Sequence, residues 1–349
     1  MIIRFDSDYL EGCHPRILER LAATNLEQTQ GYGIDPHCAR AADLIRKACS
    51  APSAAVHFLV GGTQTNATVI KSLLRPQEGV ICADTGHINV HESGAIEATG
   101  HKVLPLPTED GTLTAGQVRE ALQEFYADPT REHRVQPGML YISHPSENGT
   151  LYTREGLSAL RVVCQEYGIP IYLDGARLGY GLTAEGTDLS LPELIWLCDA
   201  FYIGGTKCGA LFGEAVVLPD PNLIRGFRTL IKQQGGLLAK GRLLGLQFEV
   251  LFEDGLYFDI AAHANRQACR IRDAFCRKGY ELLYDSPTNQ QFPILPEQDI
   301  ARLQERFSFE HWQKTGPGAG AKNWAVRFCT SWATTKEQTD KLIQAIEEL

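Results

Sequence analysis

Residues 169–177 read Ile-Pro-Ile-Tyr-Leu-Asp174-Gly-Ala-Arg177, and residues 201–210 read Phe-Tyr-Ile-Gly-Gly-Thr206-Lys207-Cys-Gly-Ala210. Each is a short apolar run that ends in small residues and a charged side chain. Continuous apolar runs of this length fit strands buried on both faces, as in a parallel sheet. In such sheets ligands bind beyond the carboxyl ends of the strands. Asp174, Arg177 and Lys207 stand just past such ends.

Outward from these stretches, strand-like and helix-like runs alternate from about residue 36 to 218. Seven strands are expected: Val56–Val60, Val80–Ala83, Lys102–Leu106, Met139–Ser143, Ile169–Leu173, Ala200–Ile203 and Ala215–Leu218. Between them lie helical patterns. In 36–48, Ala42, Ile45 and Ala48 recur at spacing three; Thr153 opens a helix with Leu157, Leu160 and Val163–Cys164 on one face, and Gly168 ends it. This alternation predicts an α/β architecture with a mostly parallel seven-stranded sheet covered by helices.

After about residue 235 the pattern changes. Two long helices are expected near 238–253 and 258–278, then extended pieces at Glu281–Tyr284 and Trp324–Cys329. A last helix opens on the capping box Thr335-Lys-Glu-Gln338 and carries the stripe Leu342, Ile343, Ile346, Leu349. The glycine-rich Gly316–Gly320 reads as a loop. The expected division is residues 1–240, an N-terminal segment plus a large α/β domain, and 241–349, a small α+β domain.

The 349 residues suffice for such a pair of domains. The net charge of -9 argues against nucleic acid as the main partner, because phosphate backbones need a basic footprint. No run of about 18 apolar residues predicts a membrane span, and the charged N-terminus does not read as a secretory signal. The ten cysteines sit singly with no Cys-x-x-Cys, as expected for free thiols in a reducing cytoplasm.

Four places carry candidate chemistry. Gly61-Gly62-Thr63-Gln64-Thr65-Asn66 follows a strand and opens a helix; its free N–H groups suit a phosphate, although alone it is also a plain strand-to-helix turn. Asp174 and Arg177 read as a carboxylate for a ring nitrogen and a guanidinium for an anion, or as a structural ion pair. Lys207, set among glycines and apolar residues, reads as a desolvated Schiff-base lysine, or as a turn lysine. His87 and His91 at i and i+4 lack an evident third metal ligand, so no metal is expected; an imidazole stacked on a flat cofactor, or a satisfied loop histidine, is the better reading.

Taken in this order, with Asp174 33 positions before Lys207, the sequence resembles the threonine aldolases of the fold type I pyridoxal-phosphate enzymes. The matching stretches are Phe5-Asp-Ser7-Asp8, Tyr32-Gly33-Ile-Asp35-Pro36, Gly61-Gly62-Thr63, His87-Ile88, Asp174-Gly-Ala-Arg177, Thr206-Lys207 and Val326-Arg327. The resemblance implies pyridoxal 5′-phosphate held as an internal aldimine on Lys207, Asp174 on the pyridinium nitrogen and His87 on the ring. Gly62, Thr63 and Thr206 would hold the phosphate. Ser7, Arg177 and Arg327 would grip the substrate carboxylate, and Tyr32 would approach from a neighbouring subunit of a homodimer or homotetramer. The implied reaction cleaves an L-β-hydroxy-α-amino acid to glycine and an aldehyde. β-Elimination and transamination need the same lysine, aspartate and arginines and stay open, as does, outside enzymes, an amino-acid-binding or interaction protein.

Three departures mark a divergent branch. Asp6 stands where an arginine is usual. Leu238 replaces a phosphate-reaching basic residue, with Lys240 or Arg242 expected to substitute. An Asn-Thr-His stretch is replaced by His144-Pro145-Ser146-Glu147-Asn148. His87, His91, His144 or a water is the expected base for the substrate hydroxyl.

Overall fold

The computed structural model describes residues 2–315 and 323–349; the glycine-rich stretch expected as a loop, Gly316–Gly320, falls outside them. The seven expected strands form one sheet, in the order Ala55–Leu59, Glu214–Leu218, Ala200–Gly204, Ile171–Asp174, Gln136–Ser143, Glu78–Ala83, Val103–Leu106. Glu214–Leu218 runs antiparallel to both neighbours and the other pairs are parallel. The strands at Glu78, Ile171, Ala200 and Glu214 are buried along their whole length. Two apolar cores, one on each face, account for that burial.

Local signals set the helices. Pro36–Ala48 starts with proline in its first turn, and the Asp35 carboxylate accepts from Cys38 N at 2.9 Å. Arg154–Tyr167 is capped by Thr153 and ends on Gly168 at φ 67°. The last helix, Lys336–Glu347, has the expected capping box at Thr335 and Gln338.

The third core gathers Ile271, Phe275, Phe307, Phe328, Leu342 and Ile346 with Phe5 from the chain start. Ile3–Arg4 reaches it by pairing in parallel with Phe307–Ser308. The strand Asn323–Cys329 is central to a small antiparallel sheet, flanked by Glu310–Thr315 and Ile294–Pro296. Leu256–Arg277 spans two cores: Tyr257, Ile260 and Ala264 pack under the large sheet, Ile271 and Phe275 in the third core.

Two expectations change. Glu281–Tyr284 is not a strand; Leu282 makes an isolated bridge with Pro293. The helix expected from 238 begins at Arg242. The turn before it runs against the segment at Gly33, so close that a Cβ on Gly241 would lie 2.5 Å from Gly33 N. We propose 240/241 as the domain boundary in sequence. Helix Arg242–Glu253 itself packs on Pro36–Ala48, and its Phe248, Val250 and Leu251 join the large core.

Candidate active site

The loops after Asp174 and after Gly204 interlock through backbone. A Cβ on Gly175 would stand 1.9 Å from Tyr202 O, and one on Gly204 2.3 Å from Ala176 O. Only glycine fits there. The small residues flanking Asp174 and Lys207 therefore bring the two strand ends together.

A cavity of about 380 Å³ opens at these ends, lined among others by Gly62, Thr63, His87, Asp174, Arg177, Thr206 and Lys207. Tyr9, His87, Glu147, Arg177 and Lys207 also line an adjoining vestibule of about 290 Å³, which His91, Glu310, Trp312 and Arg327 complete.

Asp174 is buried and saturated with donors. Oδ1 accepts from Tyr202 OH at 2.5 Å and Ala176 N at 2.9 Å; Oδ2 accepts from Tyr141 OH at 2.6 Å and Asn66 Nδ2 at 3.0 Å. Burial by itself would raise its pKa. The charge of His87 and the bonds from Tyr141, Tyr202 and Ala176 outweigh burial and hold the carboxyl below the usual range. Asp174 thus stays an anion, suited to a cationic ring N–H.

Lys207 is pushed the other way. Burial and the nearby Arg177 charge lower its pKa, against the opposing pull of Asp8, Asp174 and Glu214. A neutral amine is the nucleophilic form. Glu214, beside it, accepts from Thr206 Oγ1 at 2.8 Å and Gly205 N at 3.0 Å, and burial lifts its pKa to about 8.

His87 is oriented by Glu92, whose Oε1 lies 2.8 Å from His87 Nδ1 and accepts from Asn66 Nδ2 at 2.8 Å. Asn66 thereby ties the imidazole's support to Asp174. Gly62 and Thr63 are the first residues of helix Gly62–Leu73, whose free N–H groups and positive end favour an anion.

Arg177 lines both cavities and is also paired. Its Nε and NH2 bond Asp8 Oδ2 and Oδ1 at 2.7 and 3.0 Å, and Asn289 Nδ2 donates to the same carboxylate at 2.9 Å. Arg327 forms an ion pair with Glu310, bonds Gln290 Oε1 at 3.1 Å and sits over the Trp312 ring at 5.2 Å.

Ser7 is buried and does not line either cavity. Tyr32 and Lys240 also stand outside both. Tyr32 is exposed, held at φ 62°, and lines a separate cavity of about 560 Å³ together with Leu238; Lys240 is exposed. His144 is a correction as a candidate base: it is fully buried, lines neither cavity, and burial lowers its pKa to about 4. His91 lines the vestibule alone. The sequence reading also missed Asp8, Asn66, Tyr141, Glu147, Tyr202 and Glu214 as site residues. Tyr141 and Tyr202 did carry a signal, as hydroxyls inside otherwise apolar strands.

The donor set fits pyridoxal 5′-phosphate: N–H groups at a helix start for the phosphate, an anionic carboxylate for the ring nitrogen, an imidazole at the wall and a depressed lysine amine.

The family model described as beta-eliminating lyase matches residues 5–295. A low specificity L-threonine aldolase of a Pseudomonas strain is 30% identical over 97% of this chain and 95% of its own. A Leishmania major threonine aldolase structure covers 99% of both chains at 42% identity and a TM-score of 0.95. A Thermus thermophilus aspartate aminotransferase variant, 16% identical at a TM-score of 0.72 over 100% of this chain and 92% of its own, shares the fold, and with it the expected fold type I architecture. The chain belongs to the beta-eliminating lyase family and, within it, to the threonine aldolases, which are pyridoxal-phosphate-dependent lyases.

Proposed function

We propose that this protein cleaves L-threonine or a related L-β-hydroxy-α-amino acid to glycine and an aldehyde, with pyridoxal 5′-phosphate bound at Lys207. The observation that carries the reading is the cavity with Asp174 and Lys207 in its walls, open to a vestibule with two arginines. Gly62, Thr63 and Thr206 would hold the phosphate, Asp174 the ring nitrogen, and His87 a ring face. The bound cofactor supplies an electron sink conjugated to the substrate's α-carbon.

The chain's own residues do the rest. Arg177 and Arg327 bind the substrate carboxylate with charge-assisted bonds. Fixing that carboxylate would set which bond at Cα the cofactor's electron sink weakens. Asp174, kept anionic by its four donors, stabilises the positive ring nitrogen. Lys207 would hold the cofactor covalently, and its lowered basicity keeps its amine available as a neutral nucleophile. A base in the vestibule takes the β-hydroxyl proton.

The assembly we propose is a homodimer or homotetramer in the cytoplasm. Tyr32 and Lys240, exposed on one chain, would then serve a neighbouring subunit's site, and Ser7 would assist at the carboxylate. Among the described residues no helix is long and apolar enough to cross a membrane.

The test is a visible spectrum of the purified protein, followed by product analysis over a panel of β-hydroxy amino acids. Glycine plus aldehyde is the expected outcome, with the cofactor band lost in Lys207→Ala. A keto acid with ammonia, or one formed only with an amino acceptor, would assign β-elimination or transamination instead.

A further inference from the structure

Four carboxylates line the two cavities: Asp174, Glu214, Glu310 and Glu147. Three are committed. Asp174 accepts four hydrogen bonds, Glu214 takes Thr206 and Gly205 N on its two oxygens, and Glu310 is paired with Arg327. Glu147 differs. Its Oε1 accepts from His87 N at 2.9 Å and Ser143 Oγ at 2.7 Å, while Oε2 is buried and has no partner. A buried, unpartnered carboxyl oxygen is costly. Glu92 Oε2 and Asp35 Oδ2 share that condition, but neither residue lines these two cavities. Glu147 lines both.

Resting on the aldolase reading, we propose that Glu147 is the catalytic base for the substrate's β-hydroxyl, with Oε2 as the accepting atom. The O–H bond breaks and its proton goes to Oε2. The oxygen's electron pair would form the aldehyde C=O bond, and the Cα–Cβ pair would stay with Cα, where the bound cofactor would supply the electron sink. Glu147 then releases the proton before the next turnover. Cα takes up one proton to give glycine, so no net proton is consumed.

The setting makes Glu147 a stronger base than a free glutamate. Burial raises the Glu147 pKa, the Ser143 bond opposes this, and the Asp174 charge adds to it. Tyr141, Tyr152 and Cys82 also face it electrostatically. Lys207, Arg177, Arg327, His87, His91 and Glu310 share its cavities. The anchoring of Oε1 by a backbone N–H and a hydroxyl fixes where Oε2 points.

The test uses Glu147→Gln, which keeps the oxygen that accepts from His87 N and Ser143. Threonine cleavage should fall about 10²–10⁴-fold. Exchange of the glycine α-hydrogen with deuterated solvent involves no β-hydroxyl and should stay near wild type, as should the cofactor band. The acidic limb of the wild-type cleavage profile should be missing from the exchange profile. A readout free of catalysis is the infrared difference between wild-type and variant apo-protein. It should show a protonated-carboxyl C=O band that persists above the pH at which an ordinary glutamate, of pKa about 4.3, loses its proton. Wild-type cleavage rates in the variant, equal loss of cleavage and exchange, or no such band would each overturn the proposal. If Glu147→Gln fails to fold, Glu147→Asp, which retracts the carboxyl by one methylene, must show the same split between the two reactions. A wild-type protein with neither cofactor band nor glycine exchange would instead overturn the aldolase reading itself.

Discussion

Asp8 holds Arg177 by one edge of its guanidinium, Nε to Oδ2 at 2.7 Å and NH2 to Oδ1 at 3.0 Å, across 169 positions of sequence. Asp8 is buried and Arg177 largely so, and Arg177 with Lys207 draws the Asp8 pKa down against burial. Removing one partner of such a pair leaves a buried charge uncompensated. Asp8→Asn should lose about 3–5 kcal/mol of stability, measured by urea unfolding of the apo-protein. It should also raise KM for the amino acid, because Arg177 is no longer held. A loss below about 1 kcal/mol would place the pair among those with little net effect.

Every neighbour of the Asp174 carboxylate is a donor: two tyrosine hydroxyls, an amide side chain and a backbone N–H. In Asp174→Asn one oxygen becomes an NH2 group that meets donors. We expect cofactor affinity to fall and kcat to drop about 10²–10³-fold, with the fold retained by circular dichroism. Near-wild-type kcat would refute the role of this anion.

Glu214 gives a pH signature. Burial raises its folded pKa to about 8 from an ordinary 4.5. The folded state therefore holds a proton that the unfolded chain has already lost, so stability falls as pH rises from about 4.5 to 8 and levels off above. Glu214→Gln should flatten this slope and make the apo-protein more stable than wild type at pH 8.5, on the order of a few kcal/mol. Unfolding midpoints of both proteins at pH 5 and pH 8.5 measure it. Parallel pH slopes in the two would rule the explanation out.

With Arg327 on the substrate carboxylate as proposed, Glu310 would compete for it; its side chain is 47% exposed. Arg327 is buried and Glu310 half-exposed, so the pair contributes on the order of 1 kcal/mol. Glu310→Gln should therefore lower KM by up to about 5-fold with kcat unchanged. Steady-state kinetics over threonine concentration separates the two constants, and a fall in kcat would point to a role in the chemical step.

The sheet and the pair Asp174–Lys207 were legible because buried strands leave long apolar runs and their ends leave a charged residue beside glycine. What surrounds that pair was not legible. Asn66, Tyr141 and Tyr202 reach Asp174 from three separate segments, and no local pattern announces a shared acceptor. At the N-terminus the resemblance pointed to Ser7, whereas the side chain on Arg177 is that of its neighbour Asp8. The strand Glu310–Thr315 was missed because Glu-His-Trp-Gln-Lys-Thr is largely polar and partly exposed, yet it brings Glu310 and Trp312 to the vestibule.

The crossing of the two loops at Gly175 and Gly204 constrains how this protein can diversify. Main chain meets main chain there, so no side-chain exchange can widen the gap without prying the sheet apart. The strand ends that carry Asp174 and Lys207 are thus frozen in place. Variation in what hangs from the β-carbon is left to the rim contributed by the C-terminal strands, where Glu310, Trp312 and Arg327 sit. Directed evolution toward bulkier aldehydes should therefore collect its productive changes at that rim and few at the strand ends beneath it.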